Sequence, residues 1–158
     1  MAGWFANTFI NPVNDGAVLP ILYLNGGKIH NPTILERKTD EELELFFKGL
    51  GWNPIFADVT AVSKDFEASH QLFAEKLDQA IEEIKAIQAE ARKGSAEEAK
   101  MPAWPVLVAR IPKGWTGPES WQGTPIAGGW RAHQVPIPVD AHHMEHVDAL
   151  LDWLKGYR

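Results

Sequence analysis

Cysteine is absent from the 158 residues, which excludes disulfides and thiolate metal sites and permits a reducing compartment without requiring one. No apolar run approaches the roughly 20 residues that span a bilayer, and Met1-Ala2-Gly3-Trp4 lacks a basic stretch followed by an apolar one. Clustered positive charge is missing too. Lys and Arg number 15 against 21 Asp and Glu, for a net charge of -6. The basic residues are scattered, so the footprint that neutralises a phosphate backbone is not there. These absences predict a soluble, cytoplasmic protein with neither a nucleic-acid nor a membrane partner. A chain of this length buries about two thirds of its unfolded surface, so one domain with its own core is expected.

What is present alternates in type. The opening Trp4-Phe5-Ala6-Asn7-Thr8-Phe9-Ile10 is aromatic and uncapped, as if a helix were entered midway, and Asn11-Pro12 with Asn14-Asp15-Gly16 closes it in turn chemistry. Ala17 to Leu24 reads as a buried strand, weakened at Pro20. Thr39 with Glu42 three residues later forms a capping box; Leu43, Phe46, Phe47 and Leu50 keep helical spacing, and Gly51 suits the C-cap. Trp52 to Val59 predicts a strand near a sheet edge because of Pro54. From Ser63 a long amphipathic helix of about eight turns follows, carrying Phe66, Phe73, Leu77, Ala80, Ile81, Ile84, Ile87 and Ala91 on its apolar side.

Residues 92–101 are a polar connector around Gly94-Ser95, expected to be exposed. Trp104 to Ile111 is a near-continuous apolar run of strand length, which suits a strand covered on both faces. Residues 112–138 are rich in Gly, Pro and Trp without a period, too long for a simple connection and so read as a functional loop region. Ala141 to Tyr157 closes with Met144, Val147, Leu150, Leu151 and Leu154 on one helical face. The alternation predicts an α/β fold with parallel strands.

Chemistry-bearing residues gather after two of the strands, where open α/β sheets bind ligands. Asn25-Gly26-Gly27 follows the first: an amide oxygen suits a hard cation, and the glycines let backbone carbonyls and amides approach a ligand. The same tripeptide is also a common turn. Lys113 follows the third strand and can donate to a phosphate or an oxyanion, with Trp115 walling the pocket; a solvent-facing lysine is the plainer reading. His133 lies in a loop, where an imidazole serves as acid or base or is simply exposed. His142, His143 and His146 have helical spacing that would suit a transition-metal pair, or merely a solvated helix start. His70, Glu82-Glu83 and Glu97-Glu98 read as polar faces, and Trp104, Trp115, Trp121 and Trp130 as core or interface.

Four segments in order resemble one family, the phosphoketolases. They are Asn11-Pro12-Val13-Asn14-Asp15-Gly16-Ala17-Val18-Leu19-Pro20, Leu24-Asn25-Gly26-Gly27-Lys28-Ile29 to Asn31-Pro32-Thr33, Pro112-Lys113-Gly114-Trp115-Thr116, and Trp130-Arg131-Ala132-His133-Gln134-Val135-Pro136. The resemblance implies a thiamine diphosphate-binding α/β fold, here incomplete. Residues 1–158 would form the later portion of the diphosphate-binding domain. It implies cleavage of xylulose 5-phosphate or fructose 6-phosphate with inorganic phosphate, giving acetyl phosphate and an aldose phosphate, in an aldehyde-lyase that acts as a homodimer. Asn25 would ligate Mg²⁺ by its side chain, and Gly27 by its carbonyl, at a position where the family usually has tyrosine. Lys113 and His133 would face the cofactor's reactive end. The family's Gly-Asp-Gly-Glu motif, whose aspartate completes the metal site, would precede Gly3 and does not occur in this sequence. The chain alone is therefore expected to be inactive. The alternatives are a non-catalytic binding module that keeps the fold, and a fragment of a transketolase-like enzyme.

Overall fold

The computed structural model describes residues 2–29 and 31–156; His30 and Tyr157 therefore lie outside the described residues. The chain divides into two compact units, one of residues 1–25 and 34–111, the other of residues 26–33 and 112–158.

The first unit is built on three parallel strands, β1 (Ile21–Leu24), β2 (Trp52–Asp58) and β3 (Trp104–Arg110), in the order β1-β3-β2. β3 is central and buried from Trp104 to Ala109, as its unbroken apolar sequence predicts. Its alternate residues serve two cores. Trp104, Val106 and Val108 join Leu24 and Trp52 against Leu43 and Phe47 of helix α1 (Asp40–Gly49). Leu107 faces the other way, with Ile55 and Ala57 of β2 against Ala80 and Phe73 of helix α2 (Phe66–Ala91). Pro54 is accommodated because β2 is an edge strand.

Local signals decide the helix ends. The Thr39 hydroxyl accepts from the Glu42 amide at 3.2 Å and the Glu42 carboxylate accepts from the Thr39 amide at 3.0 Å, completing the capping box. Gly51, at φ 81°, stops α1 and turns the chain into β2. α2 begins later than the sequence suggests. Ser63 is spent on a 3-10 turn, where its hydroxyl donates to the Thr60 carbonyl, and Asp65 caps the helix by accepting from the Ala68 amide at 3.0 Å. The helix has 26 residues, about seven turns rather than eight. β1 is also shorter than Ala17 to Leu24, because Pro20 has no N–H for the ladder, although its carbonyl accepts from Leu107 at 2.9 Å.

The opening segment is a 3-10 helix, Ala2–Phe9, and part of it is held by the first unit. Buried Asn7 donates to the Leu50 and Gly51 carbonyls at 2.9 and 3.1 Å, and Trp4 meets Phe47 edge-on at 4.9 Å. Phe5 and Phe9 stay exposed, Phe9 at 86%.

The second unit holds a two-stranded antiparallel hairpin, β4 (Ser120–Trp121) with β5 (Thr124–Pro125), a 3-10 turn Trp130–His133, and helix α3 (Met144–Lys155). The region read as an aperiodic loop is thus folded, around buried Ile126 and Ile137.

Candidate functional site

β1 and β3 end level with each other. Leu24 pairs with Arg110, the Leu24 carbonyl accepts from the Ile111 amide at 2.9 Å, and the Arg110 carbonyl accepts from the Val59 amide at 2.9 Å. Half-buried Asn25 follows at once, at the carboxyl end of the sheet where α/β folds take their ligands. Beyond it, Gly26 at φ 86° and Gly27 at φ 153° need the conformational freedom of glycine. A Cβ on Gly27 would lie 2.6 Å from the Asn31 carbonyl oxygen, so no residue with a side chain fits this loop as it stands. The Lys28 amide closes the turn on the Asn31 carbonyl at 2.8 Å.

Lys113 is brought onto that loop. Its ammonium donates to the Lys28 and Ile29 carbonyls, at 2.5 and 3.2 Å, using two of its three N–H donors. Lys113 is half-buried, with its ammonium seated on these backbone carbonyls. Its own carbonyl accepts from the Gly128 amide at 2.7 Å, which ties it to the segment after β5. His133 comes near through backbone packing. Gly114, at φ 76°, lies so close to the 3-10 turn that a Cβ there would be 2.9 Å from that of Ala132, the residue before His133. The imidazole itself is exposed at the end of that turn. Gly26, Gly27, Lys113 and His133 therefore belong to one cluster of packed segments in the second unit, while Asn25 ends the first.

The donor chemistry suits magnesium in kind. An amide oxygen and a peptide carbonyl are hard ligands, and among the described residues no group of three or more His, Asp or Glu offers a competing metal site. Of the histidines near α3, His143 and His146 have structural partners instead. The His143 Nδ1–H donates to both Asp140 oxygens at 2.9 Å, and the His146 Nδ1–H donates to the Pro138 carbonyl at 2.5 Å. The two rings stack at 4.9 Å, and Trp121 meets His146 edge-on at 5.0 Å. This cluster joins the hairpin to the start of α3. Each partner favours the charged form of the other: the hydrogen bond from His143 draws the Asp140 carboxyl below its usual range, and the same bond raises the His143 imidazole.

One residue at the strand ends escaped the sequence reading. Arg110 sends its guanidinium to Asp40, at 2.8 Å from Nε and 2.7 Å from Nη2, and to the Lys38 carbonyl at 3.0 Å, with Glu36 at 3.7 Å. The only signal was an arginine ending an apolar run.

The sequence model described as the XFP N-terminal domain matches residues 1–158. The chain is 56% identical over 155 residues to the probable phosphoketolase 2 of Lactiplantibacillus plantarum, and 53% identical over 155 residues to the xylulose-5-phosphate phosphoketolase of Lactiplantibacillus pentosus. It belongs to the phosphoketolase family. A probable phosphoketolase of Clostridium acetobutylicum is 52% identical over 155 residues. Each alignment covers 98% of this chain and 19% of the relative, so the chain spans about a fifth of the length of these phosphoketolases.

Proposed function

We propose that the chain supplies part of the cofactor site of a phosphoketolase. The enzyme cleaves xylulose 5-phosphate or fructose 6-phosphate with inorganic phosphate, to acetyl phosphate and an aldose phosphate, and works as a homodimer with thiamine diphosphate and Mg²⁺. The observation that carries this reading is the seating of Lys113 on the carbonyls of Lys28 and Ile29, which joins two segments that the family resemblance places at one site. The Asn25 side chain and the Gly27 carbonyl would hold Mg²⁺, with Gly26 allowing the backbone to approach. When bound, thiamine diphosphate supplies the carbanion that breaks the sugar's carbon–carbon bond. The remaining N–H of Lys113 would stabilise negative charge developing on a substrate oxygen, and the exposed His133 imidazole would pass protons to and from the substrate.

The test is a calorimetric titration of thiamine diphosphate with Mg²⁺ into the purified chain. Saturable binding that is lost in Asn25→Ala and weakened in Lys113→Met is expected; binding indifferent to both substitutions refutes these site assignments. The isolated chain is expected to make no acetyl phosphate from either sugar phosphate. Detectable product in a hydroxamate assay would show that this segment suffices for turnover.

A further inference from the structure

Arg110 stands where the chain that carries Asn25 and Gly27 both leaves and rejoins the sheet. The departing end is held by the backbone, since Leu24 pairs with Arg110 and its carbonyl accepts from Ile111 at 2.9 Å. The returning end, Glu36 to Asp40, makes no strand. It is held by the guanidinium, through Asp40 at 2.7 and 2.8 Å and the Lys38 carbonyl at 3.0 Å. Arg110 is only 20% exposed, so these bonds are partly shielded from water. The guanidinium also separates the Asp40 carboxylate from that of Glu36, which lies 3.7 Å from Nη1.

We propose that Arg110 is a positioning residue for magnesium and the diphosphate. It touches neither. By fixing the second end of the connection between β1 and α1, it limits the conformations open to Asn25-Gly26-Gly27 before any ligand arrives. The inference rests on the site reading above, and the geometry explains why the residue is arginine. A planar fork meets Asp40 through two nitrogens while still reaching a backbone carbonyl, which a lysine ammonium on a flexible stem does not reproduce.

The test uses a full-length phosphoketolase carrying this segment, with Arg110→Lys as the main variant. Amide hydrogen exchange without cofactor reports on the Lys28 N–H, whose acceptor is the Asn31 carbonyl; magnesium chloride with thiamine diphosphate is then titrated by calorimetry. Arg110→Lys should speed exchange at Lys28 and raise the half-saturating Mg²⁺ concentration by about ten-fold, the loss typical of a group that orients a metal ligand. Asp40→Asn should do the same, and the double variant should add little to either. Unchanged exchange and unchanged half-saturation in Arg110→Lys overturn the proposal. If that variant fails to fold, the same readouts in Asp40→Asn decide. Asn25→Ala separates the two levels: binding that survives it sinks the site reading together with this inference, whereas binding lost in Asn25→Ala and untouched in Arg110→Lys sinks the inference alone.

Discussion

Gly114 shows how a single missing side chain can place a candidate catalytic residue. Its φ of 76° is costly for any residue with a Cβ, and the added carbon would sit 2.9 Å from Ala132 Cβ and 3.5 Å from Ala127 Cα, neither of which is a flexible side-chain end. Gly114→Ala should therefore destabilise the second unit by about 1–3 kcal/mol through combined backbone strain and displacement of the 3-10 turn. The loss would appear as a lower unfolding midpoint and a shifted indole resonance of Trp130, which begins that turn. Normal stability would mean that the segments bearing Lys113 and His133 can separate freely. The Asp140–His143 pair makes a second residue-scale prediction, in pH. The His143 imidazole is raised above its usual 6.5, chiefly by the hydrogen bond to Asp140, so its stabilising contribution is complete below 6.5 and fades as pH rises through the folded value. Asp140 is drawn below its usual 3.8, chiefly by the bond from His143, so its contribution is complete above 3.8 and fades as pH falls through the folded value. The pair therefore supports α3 most between those limits. An NMR titration should put the His143 midpoint above 6.5 and bring it down in Asp140→Asn; a midpoint indifferent to that substitution would show the hydrogen bond does not persist in solution.

At the scale of elements, what was legible follows from how short-ranged the determining physics is. The Thr39 capping box, the helical spacing after it and the Gly51 stop all act within a few residues, and α1 lies where they place it. Its cap can be tested directly: Thr39→Ala removes the acceptor for the Glu42 amide and should lower stability by about 1 kcal/mol, read as a shift of the denaturant midpoint with unchanged slope. A null result would mean that Asp40, held by Arg110, fixes the helix start without the cap. β3 was equally visible, because burial on both faces demands an unbroken apolar run. The β4–β5 hairpin was not. Two-residue strands have no period to read, and their Gln122-Gly123 connection, with φ of 48° and 73°, lacks the asparagine or aspartate that usually announces a tight turn. Arg110 was invisible for the opposite reason, since its partner Asp40 is 70 positions away and no local pattern couples them. Asn25 and Lys113 were found because they follow apolar runs; the contact between Lys113 and the Lys28 and Ile29 carbonyls needed the fold.

At the scale of the whole molecule, the balance of apolar surface sets how the isolated chain should behave. The first unit has a full core, yet it leaves Phe9 86%, Phe5 51% and Met101 56% exposed. Phe5 and Met101 line one mostly apolar cleft of about 460 Å³ with Leu50, Pro102 and Ala103, and Phe9 and Met101 line a smaller, mixed one with Thr8 and Asn11. Large aromatic groups gathered in this way lower the free energy when another surface covers them, and the relatives, of which this chain spans about a fifth, have ample further sequence to do so. In the chain alone the available cover is a second copy. Sedimentation velocity should show a mean mass that rises with protein concentration. Phe5→Ser with Phe9→Ser should return it toward the monomer while leaving the unfolding midpoint nearly unchanged, because neither side chain belongs to the buried core. Trp4, half-buried beside exposed Phe5, is the control: it packs on the core and meets Phe47 edge-on at 4.9 Å, so Trp4→Ser should cost stability instead. A single monomeric species at every concentration would mean that the exposed phenylalanines are hydrated without driving association, and the surface they form would lose its claim to be a contact face.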